Sequence, residues 1–257
     1  MSSKSTTKTT LALIPYLNCE PFYDGLNELE YDIRREVPRE LGKLARSGAA
    51  TCGPMAVADY FRVRDRFDLL GDFGIATEGA AHSVLLFSQR PMSELSGAKI
   101  GLTNESSTSV RLLKAILQLK LSLRDVEYVR GPSEEDDARL LIGDEALIAA
   151  SEGLDDFPFV FDLGEEWYGW QGLPFVFARW VVAKEIPESD RERIIETIDR
   201  SLDSWRLRVP AIAAKRGPDL LLDGEGVLRY LSTFRYRVGP VEKLGEQMFE
   251  SMIEELE

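Results

Sequence analysis

HSVLLFS, His82–Ser88, runs apolar without a break from Val84 to Phe87. A strand with one wet face alternates polar and apolar residues. A strand that does not alternate is covered on both faces, which is the habit of strands inside helix-covered sheets. FVFARWVVAK, Phe175–Lys184, has the same character. Between these two stretches lies a block that alternates strand and helix. AKIGLT (Ala98–Thr103) reads as a strand, and NESSTSVRLLKAILQL (104–119) as a polar turn feeding a helix with Val110, Leu113, Ile116 and Leu117 on one side. VEYV (Val126–Val129) is a strand. ARLLIGDEALIAA (138–150) reads as a helix end, a Gly–Asp turn and a strand at Ala146–Ala150, and a further strand is expected near Phe159–Asp162.

Outside the block, Leu11–Ile14 reads as the first strand and Arg39–Arg46 as a short helix behind Pro38. Pro54 falls where a helix could begin, since a first-turn residue needs no N–H partner. The C-terminal third reads as helical. Ser189 with Glu192 makes a capping box ahead of Ile194, Ile198, Leu202 and Trp205. A final helix has Val241, Leu244, Met248, Met252 and Ile253 as its apolar side. Alternating elements of this kind predict an α/β fold. Because the two unbroken strands bracket a complete block, two lobes are expected: 9–86 together with 180–257, and 87–179. Two crossing strands would join them and leave a cleft, a preferred place for ligands.

The 257 residues carry 44% hydrophobic and 29% charged residues, and a net charge of −13. That acidity, with no basic patch beyond scattered pairs, argues against nucleic acid as a partner. The two cysteines, Cys19 and Cys52, have no metal or redox spacing and read as free thiols of a reducing compartment. No apolar run approaches a membrane span. The polar opening MSSKSTTKTT lacks the apolar stretch of a secretory signal. The chain is therefore expected in the cytoplasm, away from membranes.

LALIPYLNCEPFYDGL (11–26) ends a core strand in a proline-bounded elbow that displays Tyr16 and Asn18. Asn18 sits just past a strand end, where open α/β sheets bind ligands. It could equally satisfy its own turn. Ser106, Ser107, Thr108 and Ser109 crowd a helix start, whose free N–H groups attract carboxylates and phosphates. Capping needs only one of them. In HSVLLFS, strand alternation sets His82 and Ser83 on opposite faces, and Ser83 is the better cleft candidate. Asp144 could meet a ligand or cap its loop, and Gly172–Leu173–Pro174 is a stiff approach to the second crossing. There is no P-loop, no dinucleotide fingerprint, no nucleophile elbow and no metal-ligand cluster. A cofactor-free and metal-free site is expected.

Taken together, YLNCEP, SVLLFS, ELSGAKIGLTNESSTSVRLLKAIL, LLIGDEAL and DLGEEWYGWQGLPFVFARW resemble, in order, the chorismate dehydratase family of menaquinone biosynthesis by the futalosine route. The resemblance covers nearly the whole chain after residue 9. It implies a two-lobed fold similar to type II periplasmic binding proteins, and a cofactor-free lyase that removes water from chorismate. It places Asn18 and Ser83 at the reacting centre. It also places Ser107, Thr108 and Ser109 on a substrate carboxylate, with Tyr16, Thr51, Cys52, Asp144, Gly172 and Leu173 as further substrate-binding residues. The partner implied is a small anionic substrate, the chain being a monomer or a homodimer. Pro15, Cys52 and Ala80 depart from the family pattern. They would either retune packing or mark a paralogue, or a non-catalytic binding protein, for another small aromatic or cyclic carboxylate.

Overall fold

A computed structural model describes residues 9–26, 31–47 and 52–256. Strands β1 (Thr10–Leu13), β2 (Asp32–Arg35), β3 (Cys52–Ala56) and β4 (Phe67–Thr77) open the chain. Strands β5 (Val84–Ser88), β6 (Lys99–Leu102), β7 (Glu127–Arg130), β8 (Ala138–Ile142) and β9 (Phe159–Asp162) follow, then β10 (Phe175–Ala183) and β11 (Phe234–Arg237). They form two sheets, ordered β11-β4-β10-β3-β1-β2 and β7-β6-β8-β5-β9. The unbroken strands β5 and β10 each bond within one sheet only, β5 between β8 and β9, β10 between β3 and β4. The passages between sheets are therefore not strands. They are the loops 78–83 and 172–174.

Local chemistry shapes both passages. Asp162 accepts from the N–H groups of Ala81 and His82 in the first, and caps helix α5 (Leu163–Gln171) through Gly164 and Glu165 N–H. Gly172 ends α5 in the left-handed conformation. The last helix, α8 (Pro240–Leu256), lies on the second passage so closely that a Cβ on Gly245 would stand 2.0 Å from the Pro174 carbonyl oxygen. Trp167, Phe175 and Phe249 pack edge-to-face there, with ring centroids 4.9–6.0 Å apart.

Four expectations are corrected. Pro54 lies in β3, opposite Trp180 of β10, rather than in a helix start. The recorded β1–β3 pairing is Leu11 opposite Cys52, so at Pro54 the missing N–H interrupts no ladder on that side. Residues 138–152 are a strand, β8, followed by helix α4 (Gly143–Glu152), the reverse of the order expected. The capping box at Ser189 is not used, because the 29-residue helix α6 (Glu188–Arg216) starts behind Pro187 without a side-chain cap. In α8, Val241, Leu244 and Met248 are exposed, and the buried face is Glu242, Gly245, Glu246, Phe249 and Ile253, of which only Ile253 was expected there.

The two glutamates on that face are paired. Glu246 accepts from Arg179 of β10 at 2.7 Å in the interior, and Glu242 accepts from Arg235 at 2.5 Å and from Gly239 N–H at 2.8 Å. Arg235 also pairs with Glu78 of the first passage. Burial opposes ionisation of Glu242, but Arg235 and the backbone N–H groups outweigh it and hold the carboxyl below its ordinary 4.5. A depressed carboxyl adds stability above about pH 4.5, and loses it as pH falls through the folded value. Glu242→Gln is expected to flatten part of the acid-side slope in a series of melting temperatures against pH. An unchanged slope would refute this.

Candidate functional site

Between the two sheets lies a cleft with about 480 Å³ not filled by protein atoms. It opens at the C-terminal ends of parallel strands in both sheets. Ile14 and Ala56 follow or close β1 and β3, and Ile142 closes β8. This is where such sheets leave backbone free to meet a ligand. Ile75, Phe177, Ala178 and Phe234 form apolar wall from the first sheet, and Val84 and Gly143 adjoin Ile142 from the second. The polar lining is Tyr16, Asn18, Ser83, Ser106 and Ser109, with the Cys19 thiol beside them. Among the described residues that line it there is no Asp, Glu, His, Lys or Arg.

Asn18 stands in a 3-10 turn, Leu17–Phe22, whose ends are tied down. Leu17 N–H donates to Asp144 at 2.9 Å, and the Pro21 carbonyl accepts from Ser201 and Arg208 of α6. The Cys19 thiol donates to Asn18 Oδ1 at 3.4 Å. The amide N–H₂ meets no recorded partner among the described residues, so it is available to a ligand. Burial pushes both the Cys19 thiol and the Tyr16 phenol up, and Glu105, which accepts from Tyr16 O–H, pushes the phenol further. Both stay protonated. Ser83 is buried, donates to the Ala81 carbonyl at 3.4 Å and accepts from Tyr230 O–H at 2.7 Å.

A family model described as menaquinone biosynthesis matches residues 9–255. The chain belongs to that family. It is similar to a chorismate dehydratase of Thermus thermophilus, with 31% identity and 93% of each chain covered. In fold it is similar to a crystallised protein of Archaeoglobus fulgidus, with TM-score 0.78, 18% identity and 98% of each chain covered. It is also similar to the periplasmic aliphatic sulphonate binding protein of Escherichia coli, with TM-score 0.64 and 14% identity over 96% of this chain and 87% of that one. At those identities the two structures bear on fold alone, which is that of the periplasmic binding proteins. No helix among the described residues is long and apolar enough to cross a membrane.

In this member of the family the other expected site residues lie elsewhere. Ser107 donates to Asp59 at 2.7 Å, and Thr108 Oγ1 accepts from Ala58 N–H at 3.1 Å. Both bonds cross from the start of helix α3 (Thr108–Ala115) to α2 (Val57–Tyr60) of the first lobe. They leave Ser109 and Ser106 to the cleft. Asp144 is likewise taken by the other lobe. One oxygen holds Leu17 N–H, and the other accepts from Arg216, which also bonds Glu20 and the Pro15 carbonyl. Cys52 is a core residue beside a separate apolar void with Met55, Phe67 and Val181. Gly172 and Leu173 form the second passage, under α8. Thr51 lies outside the described residues. Of the family departures, neither Pro15 nor Ala80 lines the cleft. Phe177, Phe234 and Gly143 carry no signal of a site in the sequence, whereas Ser106 belongs to the hydroxyl cluster read there.

Proposed function

We infer that this chain is a chorismate dehydratase, a hydro-lyase that converts chorismate to 3-[(1-carboxyvinyl)oxy]benzoate and water. One observation supports this above the others: in a member of the menaquinone-biosynthesis family, the cleft is lined by neutral donors and apolar walls, with no ionised side chain among the described lining. The C3 proton and the C4 hydroxyl of chorismate leave together as water, and the ring becomes aromatic. With Tyr16 and Cys19 held protonated, the lining offers no base. The base in this reading is the enolpyruvyl carboxylate of the substrate itself. The protein then has to hold one conformer, and positioning of that kind can supply about 7–11 kcal/mol.

The roles follow from the donors. Asn18 holds the reacting ring edge or the departing hydroxyl. Ser83 donates to a carboxylate or to that hydroxyl. Ser109 and Ser106, at the start of α3, receive a carboxylate with the help of the helix N-terminus. Phe177 and Phe234 flank the ring. The lobes, on this reading, divide at 78–83 and 172–174. The test is incubation of the protein with chorismate, analysed by mass and retention time. A product lighter by one water, matching the carboxyvinyloxy benzoate, is expected. Intact chorismate with a thermal shift would mean a binding protein instead.

A further inference from the structure

Helix α7 (Gly224–Ser232) carries no motif, and Tyr230 on it is 147 residues from Ser83. We propose that Tyr230 is a positioning residue that acts through Ser83, setting the serine hydroxyl as a hydrogen-bond donor into the cleft. This rests on the dehydratase reading.

A serine hydroxyl is ambiguous, since it can donate one bond and accept others. Tyr230 removes the ambiguity. Its ring is buried, edge-on to the cleft wall residue Phe234 at 5.1 Å, and its O–H lies 2.7 Å from Ser83 Oγ. A buried phenol must place its proton on an acceptor, and Ser83 Oγ is the one at hand. Desolvation keeps the phenol protonated, so the bond persists across the working pH range. With that bond accepted, the Ser83 proton has two destinations: the Ala81 carbonyl at 3.4 Å, or a ligand in the cleft. At 3.4 Å the first is a long bond, easily exchanged for a better one. A hydroxyl that accepts one bond also donates a stronger one. The backbone is held as well, since Gly143 N–H donates to the Ser83 carbonyl at 2.8 Å. Helix α7 packs in addition on the turn that carries Asn18. One helix thus supports both polar groups assigned to the reacting centre, at a site where what needs donors is an oxygen that gains or carries negative charge.

The test is a double-mutant cycle of Tyr230→Phe and Ser83→Ala, read as kcat and KM on chorismate and as melting temperature. Phenylalanine keeps the ring and its packing. Y230F alone is expected to lower kcat about tenfold, the worth of one ordinary hydrogen bond, with little change in KM. In the S83A background it should cost kcat nothing more. There it should also raise the melting temperature relative to S83A, because it removes a hydroxyl that S83A leaves buried and unpaired. An equal kcat cost in both backgrounds would mean that Tyr230 acts through packing, and overturns the proposal, as does a Y230F protein with unaltered kcat. Wild-type protein that leaves chorismate intact overturns the dehydratase reading, and this proposal with it.

Discussion

Asn18→Ala is expected to lower kcat on chorismate by about 10²–10³-fold, the usual loss when one preorganised donor to a developing charge is removed. KM should change far less. The argument begins with what the substitution leaves alone. The turn at Leu17–Phe22 is anchored through Leu17 N–H, the Pro21 carbonyl and the Arg216 bonds to Glu20 and Pro15, none of which uses the Asn18 side chain. The melting temperature should therefore hold. What is lost is an amide whose donor end is unengaged and whose acceptor end is occupied by the Cys19 thiol. In a cleft lined without charge, a lost donor is not replaced by a neighbouring cation. Steady-state kinetics with a melt on the same sample decide it. Unaltered kcat would remove Asn18 from the reacting centre.

Gly143→Ala is expected to cut kcat/KM by about 10²-fold, as sub-ångström to ångström displacements in a site do, and to lower the melting temperature. Gly143 starts α4 at φ +61°, and a Cβ there would stand 2.9 Å from three atoms of the Tyr16 ring. The ring cannot simply move aside. Its hydroxyl donates to Glu105 across the cleft, and its backbone continues into the anchored turn. The same Gly143 N–H holds the Ser83 carbonyl. Alanine thus brings left-handed backbone strain of about 1–3 kcal/mol and displaces the Tyr16 ring, which lines the cleft together with Asn18. Wild-type kinetics in G143A would show that the Tyr16 ring is free to shift and that the cleft does not depend on its position.

Strands β1, β5 and β10 could be read from sequence because an unbroken apolar run reports a local fact, burial on both faces. The apolar run of β9 located a strand too, but an edge strand that leaves Phe159 and Val160 exposed. Strand β4 was not read. Asp68, Gly71, Asp72 and Gly74 break its pattern, and it runs beside β10 with register shifts. Residues 138–152 were read in the wrong order because short apolar runs have no period of their own. Only pairing of Ala138–Ile142 with β5 and β6 settles that segment as strand.

What the sequence by itself determined is the α/β class, two lobes around a cleft, and Tyr16, Asn18, Ser83 and Ser109 as groups that now line it. These follow from positions relative to nearby strand ends and helix starts, within a few residues. Tertiary structure alone decided which polar groups face a ligand and which bind the opposite lobe. Ser107 and Thr108 turn to α2, Asp144 to Leu17 and Arg216, and α8 buries two glutamates because Arg179 and Arg235 await them. Tyr230 reaches Ser83 only in the folded chain. Periodicity records the burial of a residue, but a hydrogen bond is a choice of partner, made between residues that the sequence holds far apart.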